Sequence, residues 1–176
     1  SKNELIIMGG TFPSLPWDEQ KEFVKCAFDG FNNKNSMSLQ AAQKKNETTE
    51  HRIVGLTVET RPDWIFPEKF IELGATRVEL GVQSTSDDIL KSVHRGNTVG
   101  DVSRATSELK DAAFKVLYHI MPGLPGSTFD SDVQMFHTLF ADERFKPDML
   151  KIYPTLVIKG TKLYDMWKAG KYKPIN

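Results

Sequence analysis

The chain has 176 residues and a formal net charge of zero, because 23 lysine and arginine residues balance 23 aspartate and glutamate residues. Its hydrophobic content of 39% is ordinary for a globular domain, and the balanced charge excludes a wholly basic nucleic-acid binder and an acidic disordered tail. The single cysteine, Cys26, excludes an internal disulfide and any metal or iron–sulfur site built mainly from cysteines of this chain.

Strand-like and helical patterns alternate along the chain. Short aliphatic or β-branched runs between turn residues predict strands at residues 4–8, 53–59, 77–82, 115–120 and 149–153. Helical patterns lie at residues 17–30, 38–50, 67–74, 87–93, 98–113 and 130–140 and from residue 163 onward. Gly30 and Gly74 fit C-caps, and Ser38, Thr98 and Asp130 fit N-caps. The alternation predicts parallel strands with right-handed crossovers in one α/β domain over residues 1–176.

Each predicted strand runs directly into a turn rich in glycine, proline and polar residues. These turns begin at Gly9, Glu59, Gly81, His119 and Tyr153. Turns need glycine and proline in any case, but the helix-to-strand turns of this chain are plainer. Active sites of parallel α/β folds lie at the carboxyl ends of the strands, so we predict a functional site at that edge.

Alternating positions give the strands one apolar and one polar face. The apolar face contains Val54, Leu56, Val58, Val78, Leu80, Val82, Val116, Tyr118, Ile120, Leu150 and Ile152. The other face contains Thr57, Glu59, Arg77, Glu79, Gln83, Leu117, His119, Lys151 and Tyr153. A doubly wound sheet is covered by helices on both faces and would be apolar on both. The pattern therefore favours a partial (βα) barrel of about five parallel strands with outer helices and a polar cavity. The alternative is a set of internal ion pairs, such as Arg77 with Glu79 or Glu59.

The polar-face residues alone leave several chemistries open. Glu59 with Glu79 would suit glycoside hydrolysis, and Lys151 would suit a Schiff-base aldolase. His119 with the two glutamates would suit a metal, although no characteristic ligand spacing is present. None of these signals is specific.

Five motifs together resemble the catalytic subunit of Elongator in its archaeal form. They are IIMGGTFPSLP, GLTVETRPD, TRVELGVQS, HIMPGLPG and LKIYPTLVIKGTKLYDMWKAGKYKP, of which the last is the most specific. The resemblance runs from Lys2 to Pro174. It implies part of a radical S-adenosylmethionine (SAM) core domain with a [4Fe-4S] cluster. The implied enzyme carboxymethylates C5 of the transfer-RNA wobble uridine and takes the added group from acetyl-CoA.

The resemblance also implies which residues contact the ligands. Those implied for SAM lie on turns and strand ends: Gly9, Gly10, Thr11, Glu59, Gln83, Arg95 and His119. The glycine turn would receive the SAM amino group, and His119 stands where coproporphyrinogen-oxidase-type relatives carry an aspartate for the ribose. Lys2 matches a lysine linked to acetyl-CoA binding. Lys151 and Tyr153 are candidate catalytic residues.

Parts of the family pattern are missing from this sequence. The three cluster cysteines, CxxxxCxxC, and the acetyltransferase domain do not occur, so we expect no metal ligands in this chain and no activity of the chain alone. The sequence starts at Ser1 rather than Met, and we expect a fragment or processed chain. Cys26 lies beside Phe23 and Phe28, which suggests core packing. Residues 94–98 read HRGNT where the family more often reads NRGHT.

The charge is unevenly distributed along the chain. Residues 151–176 contain six lysines against one aspartate. This basic end suits a transfer-RNA backbone, with Tyr153, Trp167 or Tyr172 stacking on unpaired bases. The alternative is a solvated lysine face with Trp167 in the core.

Other expectations about partners and location follow. Further Elongator-type subunits or a second copy are candidate partners. A non-catalytic scaffold that binds transfer RNA or such subunits, and a Schiff-base aldolase, remain alternatives to the Elongator-type enzyme. No apolar run reaches the ~18 residues of a membrane span, so we expect a cytoplasmic protein without a membrane partner.

Overall fold

In the computed structural model, which describes residues 1–175, five strands form one sheet. The strands are β1 (Lys2–Ile7), β2 (Arg52–Thr60), β3 (Arg77–Gln83), β4 (Lys115–Ile120) and β5 (Met149–Ile152). The helices are α1 (Trp17–Asn32), α2 (Leu39–Asn46), α3 (Pro67–Leu73), α4 (Asp87–Ser92), α5 (Val99–Asp111), α6 (Phe129–Ala141) and α7 (Lys162–Lys168). A short 3₁₀ helix (Phe12–Ser14), which the sequence patterns did not predict, follows β1. All the predicted strands and helices are present.

The strands pair in chain order, and every pair is parallel. Within the described residues the sheet does not close on itself, because β1 and β5 are both edge strands. The result is a half-barrel with outer helices, which confirms the predicted partial (βα) barrel. None of the described helices is both long and apolar enough to cross a membrane.

The core lies between the apolar face of the sheet and the helices. Val78 and Val116, on the central strands, have no exposed surface. Tyr118 is also fully buried there, and burial raises the pKa of its hydroxyl to about 12. That hydroxyl hydrogen-bonds to Thr106, which donates to the Val102 carbonyl at 2.7 Å. A tyrosine is therefore tolerated in this core because its one polar atom has a partner.

The prediction that Val54 belongs to the buried, apolar face of β2 is wrong. Val54 is 49% exposed, whereas its neighbour Ile53 is buried. The pairing of β1 with β2 explains this, because Asn3 pairs with Ile53 and Glu4 pairs with Gly55, so that one residue of β2 is skipped. Such a β-bulge reverses the alternation on one side of itself. Ile152 is likewise 51% exposed, on the edge strand β5.

Two predicted helix caps are also wrong, whereas Ser38, Thr98 and Gly74 are confirmed. Helix α1 continues past Gly30 and ends at Asn33, which adopts a left-handed conformation (φ +51°). Helix α6 begins two residues earlier than a cap at Asp130 would allow, because the Thr128 side chain accepts a hydrogen bond from the backbone of Ser131. Asn and Thr are both ordinary cap residues, so composition alone could not exclude either of them.

Candidate functional site

The polar face of the sheet, called the lumen face here, lies on the side opposite the buried core. It carries Glu59 on β2, Glu79 on β3, His119 on β4 and Lys151 on β5, and Tyr153 directly follows β5. Glu59 pairs in register with Glu79, and His119 pairs with Lys151. Because the strands are parallel and adjacent in chain order, side chains far apart in the sequence meet at one edge.

Glu79 is the centre of a buried polar cluster. Its side chain has no exposed surface, and its Oε2 accepts hydrogen bonds from Lys151 Nζ at 2.6 Å and from His119 Nε2 at 2.8 Å. On its other side His119 Nδ1 lies 3.7 Å from Glu59 Oε1. Burial raises the pKa of Glu79, but the hydrogen bonds from Lys151 and His119 outweigh it, so the net pKa is below its ordinary value. Glu79 is therefore an anion at neutral pH.

The alternative ion pair of Arg77 with Glu79 or Glu59 is not formed. Arg77 Nη1 instead lies 3.6 Å from Glu4 Oε2, nearer the amino end of the sheet. Lys151 takes the place beside Glu79, with its Nζ donating to Glu79 Oε2 at 2.6 Å. A Schiff-base lysine needs its nitrogen free to attack a carbonyl, so this engaged nitrogen gives the Schiff-base hypothesis no support.

The other two chemistries are not supported either. Glu79 has no exposed surface, so it cannot touch a sugar in a glycosidase reaction. No group of three or more His, Cys, Asp or Glu side chains suited to a metal occurs within residues 1–175. Of the residues around Glu79, Lys151 and Glu59 have side chains that are 28% and 25% exposed, and the neighbouring Tyr153 is 46% exposed. The Tyr153 ring packs edge-on against His119, with the ring centres 5.5 Å apart.

Gln83, at the end of β3, is held in a strained backbone conformation. Its φ is +69°, and the Ser84 amide donates to the Val82 carbonyl at 2.9 Å, so the three residues form a γ-turn. A γ-turn with positive φ is rare and costly for a residue with a side chain. The Gln83 Oε1 atom is buried without a hydrogen-bond partner among the described residues. Strain and an orphaned acceptor in one residue point to a ligand contact.

Replacing Gln83 with glycine should stabilise the fold by about 0.5–1 kcal/mol, since glycine adopts positive φ without strain. If SAM binds here as the family resemblance implies, the same change should weaken its binding about tenfold, because the amide oxygen is lost. Chemical denaturation and calorimetric titration with SAM measure the two effects. Gln83→Ala is the control, because it should lower the affinity equally without the gain in stability. A gain in stability with unchanged SAM affinity would show that the strain serves no ligand.

Arg95 reaches the lumen from the end of helix α4. The helix ends with His94 in a left-handed conformation (φ +56°), and the amides of Arg95 and His94 donate to the carbonyls of Leu90 and Lys91. This Schellman motif turns the chain back toward the sheet, where Arg95 Nη2 donates to the Gly81 carbonyl at 2.7 Å. A Cβ at position 81 would lie 2.8 Å from the same Nη2 atom, so any side chain there would displace the guanidinium.

The Arg95 guanidinium is a half-buried cation that lacks an anion. No carboxylate of the described residues lies within ion-pair distance, and its Nε is buried without a partner. Burial lowers the pKa of Arg95, and the neighbouring positive charge of Arg61 lowers it further. Asp63 cannot neutralise Arg95, because it forms a two-pronged pair with Arg61 at 2.9 and 2.6 Å. The arrangement suits a ligand that brings its own carboxylate.

The glycine turn predicted for the SAM amino group follows β1 directly. Gly9 and Gly10 both have positive φ, +96° and +66°, with open space around them, and the Thr11 hydroxyl does not cap the 3₁₀ helix. The β1–β2 register places this turn beside the end of β2 and Glu59. Lys2, in contrast, is exposed at the amino end of β1, so the structure separates it from the other predicted residues.

The prediction that Cys26 packs in the core is wrong. Cys26 is exposed rather than packed in the core, and its thiol contacts Glu22 Oε1 at 3.3 Å. That hydrogen bond raises the pKa of the thiol. Helix α1 buries the positions of Val24 and Phe28 instead, one helical turn apart.

Of the three aromatics proposed to stack on bases, two are free to do so. Tyr153 and Trp167 are 46% and 43% exposed, so the core position considered for Trp167 is not found. Tyr172 is partly buried, and its hydroxyl donates to the Gly123 carbonyl at 2.7 Å. The lysines that follow β5, at positions 159, 162, 168, 171 and 173, are all exposed.

Comparison with known protein families gives two matches. Residues 2–139 match the radical SAM superfamily, and residues 147–176 match the radical SAM C-terminal domain.

Individual proteins of known name are similar over nearly the whole chain. A tRNA uridine(34) acetyltransferase from Methanocaldococcus jannaschii is 53% identical over 99% of the chain. Elongator complex protein 3 from Danio rerio is 41% identical over 98% of it. The chain covers only 33% and 32% of these two relatives. The solved structure of an N-terminally deleted Elp3 from Methanocaldococcus infernus superposes on 99% of the chain with a TM-score of 0.94 at 52% identity, and the chain covers 42% of it.

Proposed function

The chain belongs to the radical SAM superfamily, and from this premise we propose that it forms part of the SAM-binding core domain, over residues 1–176, of an enzyme that carboxymethylates C5 of the wobble uridine of transfer RNA. The observation that carries the proposal is the 53% identity to a tRNA uridine(34) acetyltransferase over almost the whole chain. The chain spans about a third of that relative, so the activity is proposed for a larger protein that contains this chain.

The lumen face fits SAM. The unpaired Arg95 guanidinium would hold the carboxylate of SAM, and Glu59 would accept hydrogen bonds from its ribose hydroxyls or its ammonium group. The orphaned Gln83 Oε1 would accept a further hydrogen bond, and the Gly9-Gly10-Thr11 turn would receive the amino group. When bound, SAM supplies the radical chemistry, while these residues bind and orient it.

The described residues do not fit a [4Fe-4S] cluster. Cys26 is a lone, exposed cysteine whose thiol contacts Glu22, and no suitable group of ligands lies around it. A cluster of the kind that this family uses would need its cysteines from elsewhere, since thiolates are the usual ligands.

The remaining parts of the proposal concern the substrates. Lys151 and Tyr153 are the candidate catalytic residues, because Lys151 contacts Glu79, Tyr153 packs against His119, and both side chains are partly exposed. Acetyl-CoA is the proposed acyl source, with Lys2 as a candidate contact at the far end of β1. A cytoplasmic location and association with further Elongator-type subunits belong to the same proposal.

The exposed lysines after β5 provide a surface for the transfer-RNA backbone. Reversing Lys171 and Lys173 together to glutamate should weaken transfer-RNA binding at least tenfold and reduce the slope of log affinity against log salt by about two. Filter binding across a salt series measures both quantities. The matched control reverses Lys44 and Lys45, two exposed lysines of α2, and should leave binding within twofold. Equal effects of the two double variants would mean that the lysines act only through net charge.

The enzymatic proposal is tested in a protein that contains this chain, a cluster-binding segment and an acetyltransferase segment. With SAM, acetyl-CoA, a reductant and transfer RNA, nucleoside mass spectrometry should detect 5-carboxymethyluridine. Transfer RNA with cytidine at the wobble position is the control and should give none. Reductive cleavage of SAM without modified uridine would overturn the proposed substrate. Transfer-RNA binding without any SAM cleavage would instead support the scaffold alternative, which rests on the exposed lysines.

A further inference from the structure

Glu79 occupies an unusual place for a carboxylate. It lies on the central strand β3, and its side chain is fully buried. One of its oxygens, Oε2, takes both hydrogen bonds, from Lys151 Nζ and His119 Nε2. The other oxygen, Oε1, is buried without a partner among the described residues. The carboxylate is thus only half satisfied by the chain that surrounds it.

Stability does not explain a glutamate at this position. A buried ion pair is often no more stable than well-packed apolar residues of the same volume, and here one oxygen is unpaired as well. The same row of the lumen face already holds an apolar residue, because Glu79 pairs in register with Leu117, which is 3% exposed. An apolar side chain is therefore tolerated beside Glu79.

The contacts of Glu79 determine how two neighbouring side chains face the lumen. His119 and Lys151 lie opposite each other one step nearer the carboxyl edge, and both side chains turn back toward Glu79. An ionised carboxylate only accepts hydrogen bonds, so the bonded Nε2 of His119 must carry a proton. The Nδ1 atom is then the nitrogen directed toward Glu59. The hydrogen bond to Glu79 also fixes the ammonium end of the flexible Lys151 side chain.

We propose that Glu79 is a positioning residue, which fixes the orientation of the Lys151 ammonium and selects the ring nitrogen that His119 presents to the lumen. Glu79 has no exposed surface, so it touches no ligand itself and acts through these two neighbours. The inference deepens and rests on the proposed function, since the residues that it orients line the proposed SAM and uridine cavity.

The test uses the ligand-free 176-residue chain, so that its outcome does not depend on SAM, the cluster or transfer RNA. The variants are Glu79→Leu, which removes both hydrogen bonds, and Glu79→Gln, which keeps the shape should the leucine variant fail to fold. Asp148→Asn is the matched control. Asp148 binds Lys115 Nζ at 3.0 Å at the opposite, amino end of the sheet.

The first measurement is the rate at which each lysine is acetylated by a water-soluble reagent, read by mass spectrometry. Lys151 should react about tenfold faster in Glu79→Leu than in the wild type, because a hydrogen bond between charged groups is lost. In Asp148→Asn only Lys115 should gain reactivity. A lower melting temperature in Glu79→Leu with unchanged Lys151 reactivity would overturn the proposal, because it would assign Glu79 a structural role only.

The second measurement is ¹⁵N NMR of the histidine side chains. The chain has four histidines, and His119→Asn identifies the signal of His119. The wild type should show a proton on Nε2 of His119, and Glu79→Leu should show a mixture of tautomers. A wild-type His119 with a bare Nε2 would overturn the proposal.

A third measurement separates this inference from the proposed function. In the assembled enzyme Glu79→Gln should lower kcat about tenfold through Lys151, with a smaller rise in the KM for SAM through His119. One outcome is that the assembled enzyme forms no carboxymethyluridine while the Lys151 acetylation and His119 NMR results are as expected. That outcome would overturn the proposed function and leave the positioning role supported. A change in the KM for SAM alone would contradict positioning.

Discussion

Replacing Arg95 with methionine should weaken SAM binding about a hundredfold, which corresponds to roughly 2.7 kcal/mol. The guanidinium is half-buried, has no carboxylate partner in the described chain and lies near the second positive charge of Arg61. A ligand carboxylate would relieve this unfavourable environment, whereas methionine has no charge to offer. The fold should lose little stability, because the change removes a half-buried cation without an ion-pair partner together with its one hydrogen bond to the Gly81 carbonyl. Calorimetric titration of SAM into a cluster-loaded protein that contains this chain measures the affinity.

Two controls define what Arg95 contacts. Arg104→Met alters a half-exposed arginine of α5, paired with Asp101, and should leave SAM affinity within twofold. Decarboxylated SAM should bind the wild type and Arg95→Met with similar affinity, because the proposed partner of Arg95 is absent from it. If Arg95→Met weakened the decarboxylated ligand as much as SAM, Arg95 would not pair with the carboxylate.

Replacing Lys151 with methionine should destabilise the fold by about 3 kcal/mol. The change leaves the Glu79 carboxylate, which is fully buried, with His119 as its one remaining partner. Adding Glu79→Gln to Lys151→Met should recover most of the loss, because no buried charge then remains. Urea denaturation of the single and double variants measures the coupling between the two residues.

The matched control is Lys115→Met on the same sheet. Lys115 pairs with Asp148, but its side chain is 70% exposed, so the expected loss is below about 1 kcal/mol. The two losses should also differ in their pH dependence. The pKa of Glu79 is lowered in the folded state, so the stability that its ionised form contributes is present above its ordinary value of 4.5 and is lost as the pH falls through the lowered pKa. The penalty of Lys151→Met should therefore shrink in acid, and a penalty that stayed constant down to pH 3 would contradict this assignment.

The fold could be predicted from the sequence because its signals are local and repeated. Each strand is a short aliphatic run, and the alternation of strand and helix fixes a parallel sheet. The prediction of the buried face fails where pairing between strands interrupts the alternation of buried and exposed residues. Val54 is exposed because β2 gains an extra residue against β1, and no property of the β2 sequence by itself reveals that bulge.

The site could be predicted only in part. The alternation of side chains along each strand, together with the polar residues at the strand ends, was enough to predict that Glu59, His119 and Lys151 share one face of the sheet. These patterns did not reveal that Glu79 is the shared hydrogen-bond partner of Lys151 and His119. That contact depends on how far these two side chains extend toward the amino end of the sheet. The γ-turn at Gln83 was also missed, since glutamine is not a residue that normally signals positive φ.

The order of the strands has a consequence for how the chain folds. Each strand pairs with the strand that precedes it in the chain, so the sheet can grow one unit at a time from the amino terminus as synthesis proceeds. The partner that covers Glu79 arrives late, because Lys151 lies 72 residues further along the chain on the last strand. Until β5 docks, the nascent sheet holds a carboxylate without its ammonium partner. Docking of β5 therefore brings the ammonium partner of Glu79 to the lumen face.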